Sequence, residues 1–187
     1  MVKINSCVFI SGRGTNLNQL LINSNSYNFP LNIKLVISNN KNAFGLKIAK
    51  KFAIPCFIIN HKNSLFEEKT LTTLKTNKID LILLAGYMKM LSKKFINTFG
   101  KKIVNIHPSL LPKFKGLNTY KNIIKTREKK TGCTVHYVNE KLDSGKIILK
   151  KSFFVENSDT IEVLKKKTQK LEYKAYSEAI IKLFNKN

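Results

Sequence analysis

The chain has no tryptophan and three isolated cysteines, Cys7, Cys56 and Cys133. Only two of its 34 basic residues, Arg13 and Arg127, are arginine, against 11 acidic residues. Each scarcity excludes something. An odd number of cysteines, with neither paired nor metal-type spacing, argues against a disulfide framework or a cysteine metal site and fits a reducing cytoplasm. The longest apolar run, Leu81-Ile82-Leu83-Leu84-Ala85, is far below the ~20 residues that a membrane helix needs. The opening MVKINSCVFISG reads as a strand entering a glycine loop and lacks a signal-peptide cleavage site. The formal charge of +23 would suit nucleic acid. Such sites favour the arginine fork, however, and here the charge is lysine spread along the chain. Lys, Asn, Ile and Phe are all plentiful and share AT-rich codons, so a compositional bias accounts for the charge without a partner. Nucleic acid and membrane are therefore not expected partners.

What is present is a soluble-type composition, 43% apolar, in 187 residues, enough for one domain with a full core. Strand-like and amphipathic segments alternate. Strands are expected at Ile4–Ile10, Ile33–Ile37, Cys56–Ile59, Leu81–Ala85 and Ile103–Ile106. Helices are expected from near Leu17, over Phe44–Phe52, Leu65–Lys75 and Lys93–Phe99. Leu81–Ala85 reads as a central parallel strand buried on both faces. Thr134–Val138 and Ile147–Val155 are joined by Asn139–Gly145, too short for a crossover helix, so they should pair antiparallel. A long helix, Thr160–Phe184, closes the pattern, with Ser158 or Asp159 as its N-cap. The expectation is one α/β domain over 1–187, a mostly parallel sheet with an antiparallel C-terminal addition and helices on both faces.

Four segments carry chemistry. Ser11-Gly12-Arg13-Gly14-Thr15-Asn16 follows a strand and opens a helix, a place where backbone amides favour an anion. Leu17 stands where a dinucleotide fingerprint has its third glycine, and no P-loop lysine follows, so a monophosphate fits better; a steric turn is the plainer alternative. Ala85-Gly86-Tyr87-Met88-Lys89-Met90-Leu91 lies at the carboxyl end of the presumed central strand, where ligands of open α/β sheets bind. Its methionines could floor a flat aromatic ligand or simply be core. In Asn105-Ile106-His107-Pro108, the amide and imidazole are two apart on a strand and share a face, a pairing suited to an oxyanion and a moving proton. Pro108 to Pro112 stiffen the exit. Asp143, in Leu142-Asp143-Ser144-Gly145, is either a turn-capping residue or, folded over His107, the partner that raises the imidazole pKa. His136 reads as supporting structure. No metal-ligand spacing and no Gly-x-Ser-x-Gly nucleophile elbow is present.

Together SGRGTN, AFGLKIAK (43–50), LAGYMKML (84–91), NIHPSLLPKFKG (105–116) and LDSGKIIL (142–149) make the chain resemble the phosphoribosylglycinamide formyltransferase family over nearly its whole length. That resemblance implies a Rossmann-like formyltransferase fold and formyl transfer from 10-formyltetrahydrofolate, as co-substrate, to an amine in purine synthesis. It implies Asn105, His107 and Asp143 as the catalytic set, and Gly12, Arg13, Gly14, Thr15 and Asn16 at the substrate phosphate. Gly86 and Pro108 would line the substrate, and Gln169 and Glu172 would hold its ribose. Met88, Lys89, Met90, Leu91 and the loop Asn139, Glu140, Lys141, Leu142, Asp143 would take the folate head, and Lys62 its glutamate tail. Lys89 stands where the family usually has arginine. No metal is implied, and monomer and homodimer are both open.

Overall fold

The computed structural model describes residues 2–59 and 65–184; Lys62 lies outside them. Two compact units divide the chain, Met1–Val104 and Asn105–Asn187.

In the first unit, strands β1 (Ile4–Ile10), β2 (Leu31–Ser38), β3 (Cys56–Ile58) and β4 (Leu81–Leu84) alternate with helices α1 (Thr15–Ser24), α2 (Phe44–Lys51), α3 (Phe66–Thr76) and α4 (Lys93–Phe99). β1 pairs in parallel with both β2 and β4, and β2 in parallel with β3. The apolar runs explain the placement. All four residues of β4 and the last five of β1 are buried, as strands covered on both faces require. α4 begins where the Ser92 hydroxyl accepts the Phe95 N–H at 3.0 Å, and it ends at Gly100 in the left-handed region.

β5 (Lys102–His107) spans the boundary and delivers Asn105 and His107 at its end. The second unit adds α5 (Thr119–Lys125), β6 (Lys130–Tyr137), β7 (Ile147–Phe154) and α6 (Ile161–Phe184). β6 and β7 pair antiparallel, as the short connection dictates. In order, the seven-stranded sheet reads β3-β2-β1-β4-β5-β6-β7, which makes β4 the middle strand. The sheet is mostly parallel with an antiparallel C-terminal addition, as expected.

Three details differ from the sequence reading. α5 was not expected, and β6 begins four residues earlier than its apolar stretch. The cap of α6 is Thr160: its hydroxyl accepts the Val163 N–H at 3.3 Å. Asp159 instead accepts the Glu156 N–H at 3.0 Å and pairs with Lys167 at 2.8 Å. Among the described residues, no helix is long and apolar enough to cross a membrane.

Candidate active site

In the second unit the end of β5 turns straight into a hydrogen-bonded loop. His107 is only 5% exposed, and its Nε2 lies 2.8 Å from the Phe114 carbonyl oxygen. A carbonyl can only accept, so Nε2 carries the proton. The other ring nitrogen, Nδ1, lies 3.3 Å from Asp143 Oδ2. Asp143 comes from the β6–β7 connection and adopts a positive φ of 46°, an uncommon conformation for a residue with a Cβ. The same Oδ2 accepts the Gly116 N–H at 2.8 Å, and Lys115 Nζ donates to Ser144 Oγ at 2.6 Å. The two loops are therefore stitched together around His107, and Asp143 is its partner rather than a free turn residue.

His136 joins them. It is 2% exposed on β6, and its Nδ1 lies 2.8 Å from the Tyr137 carbonyl. Its Nε2 lies 3.2 Å from Asn105 Nδ2. Asn105 Nδ2 also approaches Asp143 Oδ1 at 3.5 Å, and His136 Nε2 lies 3.6 Å from that oxygen. The reading of His136 as supporting structure is thus sharpened: it supports the cluster through its contact with the Asn105 amide. A buried histidine in a strand looks structural in sequence.

Burial opposes the expected effect of Asp143 on His107. Asp143 does raise the His107 pKa, as does the Phe114 carbonyl, but burial outweighs both and holds it below the ordinary imidazole value. Asp143 itself is pushed up by burial. The His136 ring, the Gly116 N–H and His107 outweigh that and leave its carboxyl below the usual range. The two form a close carboxylate–imidazole pair, an arrangement that suits one group to orienting and the other to moving a proton.

The first unit brings a second group of predicted residues together. Ser11 accepts the Met88 N–H on its hydroxyl at 2.8 Å, and its own N–H donates to the Gly86 carbonyl at 3.2 Å. Its hydroxyl also donates to Asn39 Oδ1 at 2.6 Å, so the ends of β1, β2 and β4 are tied at one sheet edge. Gly12 and Arg13 are exposed, Gly14 is the N-cap of α1, and Thr15 and Asn16 form its first turn. Met88 and Met90 are 67% and 62% exposed, which removes the core reading for both; Leu91 is buried.

The remaining residues are placed separately. Pro108 is half-buried beside His107, and Lys89 is exposed. Gln169 and Glu172 lie one turn apart on α6, half-buried, and the charge of Glu172 acts on Cys133 and Tyr176. In the Asp143 loop, Asn139 Oδ1 caps the Lys141 N–H at 3.0 Å, while Glu140, Lys141 and Leu142 are exposed.

Residues 4–180 match the family model described as Formyl transferase. A phosphoribosylglycinamide formyltransferase of Haemophilus influenzae is 42% identical, over 95% of this chain and 85% of its own length. A trifunctional purine biosynthetic protein of Gallus gallus is 38% identical over 95% of this chain, which spans 18% of that longer protein. The crystal structure of the phosphoribosylglycinamide formyltransferase from Anaplasma phagocytophilum superposes with a TM-score of 0.90 at 41% identity, covering 95% of this chain and 85% of that one. The chain belongs to the formyl transferase family, as an enzyme of the phosphoribosylglycinamide formyltransferase type.

Proposed function

We propose that this protein transfers the formyl group of 10-formyltetrahydrofolate to the amine of 5'-phosphoribosylglycinamide, with Asn105, His107 and Asp143 performing the chemistry. The observation that carries this reading is the Asp143–His107 contact of 3.3 Å beside the Asn105 amide, at the end of one strand. The neutral amine attacks the formyl carbon, and the carbonyl oxygen becomes an oxyanion. The Asn105 Nδ2, now shared between His136 and Asp143, donates an N–H to that oxyanion. His107, resting neutral, takes the proton released by the attacking nitrogen on Nδ1, the nitrogen that Phe114 does not hold. The ionised Asp143 stabilises the imidazolium so formed. As the bond from the formyl carbon to folate N10 breaks, His107 returns that proton to N10. One C–N bond forms, one breaks, and the enzyme's proton balance is restored.

The remaining assignments belong to the same reading. Gly12, Arg13, Gly14, Thr15 and Asn16 hold the phosphate at the start of α1, where backbone amides favour an anion. Gly86 and Pro108 line the substrate, and Gln169 and Glu172 hold the ribose hydroxyls. Met88, Lys89, Met90, Leu91 and Asn139 to Asp143 receive the folate head; Lys62 takes its tail. Both units act as a single formyltransferase domain over 1–187, in the cytoplasm. The test is direct. Purified protein is mixed with both substrates, and folate absorbance is followed. Folded protein without turnover would end this reading.

A further inference from the structure

We propose that Lys150 is a positioning residue for His107: with its cross-strand neighbour Thr134 it clamps Leu111 and so fixes the loop whose Phe114 carbonyl orients the imidazole. Thr134 and Lys150 are register partners on β6 and β7, so both side chains leave the same face of the sheet. Thr134 is fully buried; its hydroxyl donates to the Ser109 carbonyl at 2.7 Å and accepts the Leu111 N–H at 3.0 Å. The Lys150 ammonium donates to the Leu111 carbonyl. Leu111 is thus held through both its N–H and its carbonyl by two adjacent side chains. The restraint continues along the chain. Ser109 Oγ donates to the Lys113 carbonyl at 2.6 Å, and the next carbonyl, that of Phe114, accepts from His107 Nε2 at 2.8 Å.

Leu111 itself is buried, whereas Leu110, Pro112 and Phe114 line an open groove of about 300 Å³, so one side of this loop is not backed by packing. Among the described residues no carboxylate pairs with Lys150, although its ammonium would gain from one. Its recorded acceptor is the loop carbonyl, a charge-assisted bond of the stronger kind. A small displacement of Phe114 would rotate the ring that must meet the reacting atoms, and misplacement by ~1 Å costs on the order of 10²-fold in rate.

The kinetic arm of the test rests on the formyl-transfer reading; a spectroscopic arm does not. Lys150→Met removes the donor and keeps the apolar stem, whereas Lys150→Gln restores an uncharged N–H. The clamp predicts that kcat of Lys150→Met falls about tenfold with KM for both substrates within about twofold, an intermediate case of such misplacement. Lys150→Gln should recover most of the loss. In the wild type, the hydrogen-bonded His107 Nε2 proton should exchange slowly with solvent by NMR, and in Lys150→Met about tenfold faster, as the bond opens more often. Wild-type kcat in Lys150→Met, a change in KM alone, a Gln variant no better than Met, or unchanged proton exchange would each overturn the clamp. Should Lys150→Met fail to fold, Thr134→Val against Thr134→Ser makes the same comparison on the other half of the clamp. A wild type without turnover would end the formyl-transfer reading and leave proton exchange to decide the clamp.

Discussion

His107 sits between two acceptors, the Phe114 carbonyl and the Asp143 carboxylate, in a place with almost no water. Burial wins that contest and lowers its pKa, so kcat/KM should fall on acidification with an apparent value below the ordinary imidazole figure of about 6.5. A rate that rises as pH drops from 8 to 6 would show instead that imidazolium is the active form. Stability follows the same sign. The unfolded chain binds the proton more readily than the folded one, so this contribution is complete above about pH 6.5 and is lost below it. The Asp143 contribution is complete above about pH 3.9 and is lost as pH falls through its lower folded value. Urea unfolding between pH 7 and 5.5 should therefore show a smaller loss in His107→Gln than in the wild type. On activity, His107→Ala and Asp143→Ala should each lose about 10²–10³-fold in kcat while the protein still folds, the scale of one lost transition-state contact. His136→Ala should lose less, because Asn105 survives but is no longer aimed. At this scale, the Asn-x-His-Pro spacing and the aspartate loop pointed to three of the four clustered side chains. His136 was illegible because its role depends on which partner its Nε2 meets across the fold.

At the scale of elements the glycine loop has two reasons to exist. Gly14 has φ +73°, and a Cβ built there would lie 2.5 Å from the Gly45 Cα at the start of α2. The Gly45 N–H donates to the Gly12 carbonyl at 3.0 Å, so the close approach of α1 and α2 is locked at this point. The steric explanation for the glycine therefore holds in full, and the phosphate binding proposed for this loop would use amides that the same turn exposes. Gly14→Ala should destabilise the protein by at least about 1–3 kcal/mol through backbone strain, more through the clash, and should raise KM for the phosphorylated substrate rather than for folate. Unchanged stability would mean that α1 and α2 can separate freely. Strand and helix placement was legible wherever the apolar period was unbroken: β1 and α4 match their expected limits residue for residue. α5 was missed because Thr119-Tyr120-Lys121-Asn122-Ile123-Ile124-Lys125 is weak in helix propensity and buries only Thr119 and Ile123. The first half of β6, Lys130-Thr131-Gly132-Cys133, shows no apolar run; its pairing with β7 decides it.

For the molecule as a whole the unexplained quantity is the charge. Ion pairs among the described residues, such as Lys101–Asp80, Lys113–Glu128 and Lys151–Glu178, engage few of the 34 basic side chains. The excess repels itself, and the repulsion is screened over a Debye length of about 30 Å at 0.01 M salt and about 8 Å at 0.15 M. The unfolding temperature should therefore rise as salt is added across this range. The rate constant for capture of the phosphorylated substrate should fall, because the same field draws anions toward the protein. A nucleic-acid-binding protein would instead show duplex or single-strand affinity that drops linearly in log–log form with salt, at ~0.7–0.9 per phosphate neutralised. Measuring unfolding, substrate capture and oligonucleotide binding in one salt series decides the matter. Steep oligonucleotide binding that survives 0.15 M salt would give the lysines a partner. Binding that vanishes there, while turnover persists, leaves them as a background field around a small-molecule enzyme.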